Sequence, residues 1–117
     1  MHLQPFVGAD HLSYSQYTKE AAALLGRLIK LERKNRRWTA SDLAERVGVS
    51  LVTLRRIENG DLSCSVGLVF EAAAVLGIPL FDSDRTPLET NLDRVTDTLS
   101  LMPQKIRKSE RNLDDDF

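Results

Sequence analysis

The feature that most constrains this sequence is a pair of short helical segments broken at one place, Gly48-Val49-Ser50. Thr39 is a good N-cap for a helix over residues 40–47. Ser50 is another for a helix over residues 51–59, which Gly60 closes. Gly48 follows the first helix where a left-handed backbone is expected, a conformation glycine adopts without a Cβ clash. Leu43 and Ala44 fall on one inward face, and Ala44 is small enough to let a crossing helix approach closely. Val49 plugs the corner, while Leu54 and Ile57, three apart, anchor the second helix to a core. Two helices packed near a right angle about such a turn leave the second projecting outward. That is the requirement of a helix-turn-helix.

The flanking punctuation predicts more helices. One opens near Ser13, with Gln16 placed for a reciprocal cap, and runs to about Arg36. Its apolar stripe is Ala21, Leu24, Leu25, Leu28 and Ile29, and Lys30, Lys34, Arg36 and Arg37 crowd its C-terminal end. A fourth helix spans 66–76, ended by Gly77 and Pro79. After an extended Ile78–Leu80–Phe81 segment, Pro87 opens a fifth helix that reaches Met102 and is stopped by Pro103. The expected fold is all-α: a five-helix bundle with a helix-turn-helix, plus an additional C-terminal helix and flexible termini. Residues 1–12 are expected to be a loose arm that adds at most a short strand. Residues 13–81 are expected to form the helix-turn-helix domain, 82–102 a C-terminal helix, and 103–117 a charged flexible tail.

At 117 residues the chain is too short for a large multilayered sheet enzyme. Its apolar runs, such as 21–25 and 72–76, fall far short of the ~20 residues of a membrane span. The N-terminus lacks a secretory pattern, and the lone Cys64 fits a reducing compartment, so a cytoplasmic protein is expected. No glycine-rich phosphate loop or clustered metal-ligand set is present, so no enzyme activity, metal or other cofactor is expected. Trp38 is expected in the core or as a lid over helix ends.

The formal net charge of −1 looks unpromising for nucleic acid, but its distribution does not. Residues 19–60 hold ten basic and five acidic side chains, a net +5, which leaves −6 for the remainder. A module of that charge neutralises phosphates and gives affinity that weakens with salt.

The run Leu43-Ala44, Gly48-Val49-Ser50, Leu54, Ile57-Glu58-Asn59-Gly60 resembles the phage-repressor-type (Xre/Cro) helix-turn-helix over residues ~23–81. The resemblance implies a sequence-specific repressor that binds double-stranded operator DNA. It also implies a structural ion pair between Arg33 and Glu58. The glutamine that usually opens the family's second helix is Ala40 here. The candidate DNA-binding residues are Thr39, Ser50, Leu51, Val52, Thr53, Arg55, Arg56 and Asn59. Arg56 stands where the family reads bases, and its fork suits the O6 and N7 acceptors of guanine. Arg55, on the adjacent flank, is expected to meet phosphate. Leu51 and Val52 offer apolar contact to a thymine methyl.

Residues 17–22, 70–73, 77–81 and 114–117 are similar to HipB-like antitoxins, which accompany HipA-type kinase toxins. The resemblance implies a type II toxin–antitoxin module that autoregulates its operon and docks a kinase through the tail. The candidate partner-binding residues are Arg107, Asp114, Asp115, Asp116 and Phe117. A solubilising tail is the plainer alternative for that charge run. The wider alternative is a stand-alone Xre-type regulator controlled by a small effector. One recognition helix reads few base pairs, so a homodimer on half-sites ~34 Å apart is expected. Leu88, Leu92, Val95, Leu99 and Met102, spaced 4, 3, 4, 3, are the candidate dimerisation seam. The same stripe packed back on its own domain is the alternative.

Overall fold

The computed structural model describes residues 13–106, which contain five α-helices and no strand. They divide between two compact units, with the break between Pro79 and Leu80. The first unit holds α1 (Gln16–Asn35), α2 (Ala40–Val47), α3 (Leu51–Glu58) and α4 (Val66–Val75); the second holds α5 (Leu88–Ser100). Among the described residues the helices thus number five, with the C-terminal one included. The proposed arm (1–12) and the tail from Arg107 onward lie outside the described residues.

Each helix of the first unit begins at a hydroxyl. Ser15, Thr39, Ser50 and Ser65 each accept from the amide three residues on, satisfying a donor that the helix leaves orphaned. Thr39 and Asp42 cap each other reciprocally, and hydrogen bonding from the Thr39 amide, then from its hydroxyl, holds the Asp42 carboxyl below its usual pKa. The α1 cap is Ser15 rather than Ser13, with Thr18 as the donor, so Gln16 is the first helical residue and takes no part in a reciprocal cap.

C-terminal closure is equally local. Gly60 (φ 74°) and Asp61 donate to the carbonyls of Ile57 and Arg56, and Gly77 and Ile78 make the same paired closure on α4. α1 ends in this way without a glycine. Arg37 takes φ 60°, and Arg37 and Trp38 donate to Lys34 and Arg33.

The core is Ile29, Leu43, Ala44, Leu54, Ile57, Ala72 and Leu76, with Val49 and Trp38 packed against it. The face α1 turns inward is offset from the expected stripe. Gly26, Ile29 and Arg33 are buried, whereas Ala21, Leu24 and Leu28 are exposed. The crossing with α3 explains the offset. A Cβ on Gly26 would lie 2.6 Å from the Glu58 carbonyl oxygen and 2.7 Å from that of Ile57, and one on Gly60 would lie 2.8 Å from the Ala23 Cα. Backbone meets backbone there, so the bulky leucines must point elsewhere.

In the second unit the segment after Pro79 turns rather than continuing extended. Phe81 and Asp82 have φ 55° and 59°, and Ser83 both donates to and accepts from Leu80. Pro87 occupies the cap position of α5, which ends at Ser100, short of Met102.

Candidate nucleic-acid interface

The turn that sets α3 against α2 is held by a few hydrogen bonds. The Gly48 and Val49 amides both donate to the Ala44 carbonyl, at 2.8 and 2.9 Å, with Gly48 at φ 89°. Leu54, Ile57 and Glu58 form the buried side of α3. At 100° per residue the opposite side carries Val52 and Arg56, four apart, with Asn59 and Arg55 on its flank. Val52 is 67% exposed, an aliphatic side chain that the fold itself does not use.

The buried side is fixed by charge as well as by packing. Arg33 Nε donates to Glu58 Oε2 at 2.7 Å, Nη2 to Oε1 at 3.0 Å, and Nη1 to the Trp38 carbonyl at 2.9 Å. This two-point pair joins α1 to the end of α3 and occupies both carboxylate oxygens. Hydrogen bonding to Glu58 raises the Arg33 pKa in spite of burial. Arg27, unremarked in the sequence, donates Nη1 to the Glu58 carbonyl at 3.1 Å and so satisfies the C-terminal end of α3.

The pair itself forms part of the wall of a cleft of about 490 Å³, together with Lys30, Lys34, Thr39, Ala40, Arg55 and Asn59, where the ends of α1 and α3 meet the start of α2. Four cations and one carboxylate line it; with Arg33 neutralised by Glu58, the charges of Lys30, Lys34 and Arg55 are left over, a balance suited to phosphate oxygens. Trp38 sits behind, with the Arg46 guanidinium 4.0 Å and the Arg36 guanidinium 5.6 Å from its ring centroid.

The structure separates the candidate DNA-binding residues. Arg55, Asn59 and Thr39 meet at the cleft, and Val52 and Arg56 share the outer face of α3. Ser50 and Thr53 are occupied locally. Ser50 accepts from the Thr53 amide and donates to the Thr53 hydroxyl, so both serve the helix cap. Leu51 is half-buried. Arg56 is not free-standing: its Nε donates to Asp61 Oδ2 at 3.0 Å and its Nη2 to Ser63 Oγ at 2.8 Å. The hydroxyl and amide of Ser63 both donate to Asp61 Oδ1, and these bonds, with Arg56, lower the Asp61 carboxyl to about 2. Asp61 is therefore ionised at neutral pH.

The candidate seam residues Leu88, Leu92, Val95 and Leu99 are all exposed along α5, and Met102 follows them. With Phe81, the first three line an apolar groove of about 610 Å³. Arg107, Asp114, Asp115, Asp116 and Phe117 lie outside the described residues. No described helix is long and apolar enough to cross a membrane.

Comparison with known families matches residues 29–82, from the middle of α1 to beyond α4, to a helix-turn-helix. No curated protein and no solved structure gives a significant match to the chain.

Proposed function

We propose that this chain is an operator-binding transcriptional repressor, a reading supported by the match of residues 29–82 to a helix-turn-helix. In this reading it has no catalytic activity, works as a homodimer in the cytoplasm, and is the antitoxin of a HipA-type kinase. One observation carries the DNA part: the exposed Val52–Arg56 face of α3 stands beside the cleft of Lys30, Lys34 and Arg55. Phosphates held at the cleft would dock the module, and the outer face of α3 would meet base edges in the major groove.

Titration against duplex DNA from upstream of its own gene tests this. With about four phosphates neutralised per chain, and so about eight per dimer, affinity is expected to fall about ten-thousandfold for a fourfold rise in salt. Affinity that is absent, or indifferent to salt, overturns the reading.

The exposed 4, 3, 4 spacing of Leu88, Leu92, Val95 and Leu99 supports pairing with a second copy, because knobs at that spacing interlock with an equivalent helix. Leu92→Asp combined with Leu99→Asp is expected to sediment as a monomer. A dimer that survives both substitutions excludes this seam.

Support for the antitoxin role comes from the likeness of residues 17–22, 70–73, 77–81 and 114–117 to HipB-like proteins. Co-purification of such a kinase with the full chain, and its loss on deletion of 103–117, would support it. If no kinase associates, a stand-alone regulator is left.

A further inference from the structure

Four hydrogen bonds close a ring at the C-terminal end of α3. Arg56 reaches Asp61 and Ser63, and Ser63 binds Asp61 through both its hydroxyl and its amide. The loop that supplies the two acceptors is itself anchored. The Asp61 amide donates to the Arg56 carbonyl at 3.0 Å, the Asp61 carbonyl accepts from Cys64, and Cys64 packs against the core. The guanidinium is therefore held by a firm frame, although it lies on the exposed face.

An arginine guanidinium has five N–H donors, and this frame uses two, one on Nε and one on Nη2. Three are left, and one on Nη1 with one on Nη2 forms the end-on edge. That edge has the spacing of the O6 and N7 acceptors of guanine.

We infer that Asp61 and Ser63 are specificity-determining residues of the DNA reader, because they lock Arg56 so that its end-on edge faces the base. The inference rests on the DNA-binding reading above. It names the base class, a guanine, and assigns a role to two residues beyond the recognition helix. An arginine already held in its bound rotamer loses less freedom on binding, and one whose side edge is filled cannot swing to a phosphate. Asp61 is a positioning residue here. As an anion near DNA it opposes non-specific affinity, so its removal has opposite effects on affinity and on discrimination.

The experiment measures binding of the full chain to its operator and to a set with each base pair replaced in turn, at one salt concentration. For the wild type one G·C replacement is expected to weaken binding about tenfold or more. Asp61→Ala is expected to reduce that single penalty at least about threefold and leave the penalties at other positions unchanged. Ser63→Ala, which keeps the carboxylate, is expected to act in the same direction, and it decides the matter if Asp61→Ala does not fold. In an Arg56→Ala background the penalty is already gone, so adding Asp61→Ala is expected to change it no further. A purely structural role would instead lower affinity on every sequence alike. The inference is overturned if Asp61→Ala and Ser63→Ala leave the pattern of base preference intact, whether affinity rises or falls. Absence of DNA binding by the wild type would sink the DNA-binding reading and this inference with it. Wild-type binding with an unchanged pattern in the variants would sink only the inference.

Discussion

Glu58→Ala is expected to destabilise the helix-turn-helix unit by about 3–5 kcal/mol, because it leaves the Arg33 guanidinium buried without its counter-charge. Arg33 would keep only the Trp38 carbonyl as acceptor. For a unit of this size such a loss lowers the melting temperature on the order of 20 °C, readable by thermal denaturation followed by circular dichroism. Replacing both partners, as in Arg33→Met with Glu58→Leu, is expected to cost far less, since no uncompensated charge then remains. The contrast between the single and double variants is the informative result. If Glu58→Ala costs under about 1 kcal/mol, the pair is behaving as a solvated surface bridge and does not join α1 to α3.

Gly26→Ala is expected to destabilise the protein although alanine is the better helix former. In an open helix the change would gain about 1 kcal/mol. Here the new Cβ would lie 2.6 Å from the Glu58 carbonyl oxygen and 2.7 Å from that of Ile57. Both obstacles are backbone at the end of α3, so no side chain can swing aside, and α3 must move off α1. Overpacking of that kind costs about 1–3 kcal/mol, occasionally more, which exceeds the propensity gain. Gly26→Val is expected to cost more still. Because the displaced element carries Val52, Arg55 and Arg56, operator affinity is expected to fall along with stability. A Gly26→Ala protein that melts above the parent would show that the crossing has room to spare.

Most helix boundaries in the first unit could be read along the chain because their causes are local. Thr39 and Ser50 bond to amides three residues away, and Gly48, Gly60 and Gly77 supply left-handed backbone at the next step. Where a competing local choice existed, the sequence misled: Ser13 and Ser15 are both good caps two residues apart, and Ser15 is the one used. The C-terminal end of α1 carried no glycine signal, since Arg37 adopts the left-handed conformation itself. Part of the inward face of α1 was missed for a different reason. Counting apolar residues favours Leu24 and Leu28, whereas a glycine and a paired arginine hold the seam. A glycine inside an otherwise helical run was the available signal at Gly26.

The interface divides in the same way. The helix-turn-helix, the outward set of α3 and the +5 segment around it follow from spacing and charge, both properties of the linear chain. Which of those residues are free to act was decided by the folded chain. Ser50 and Thr53 are taken up in a cap, Arg55 joins Lys30 and Lys34 at a cleft built from three helices, and Arg56 is held by Asp61 and Ser63. A spacing rule places a side chain on a face of its own helix. It cannot report the hydrogen bonds offered by a loop beyond that helix, because those depend on where the rest of the core lets the loop lie.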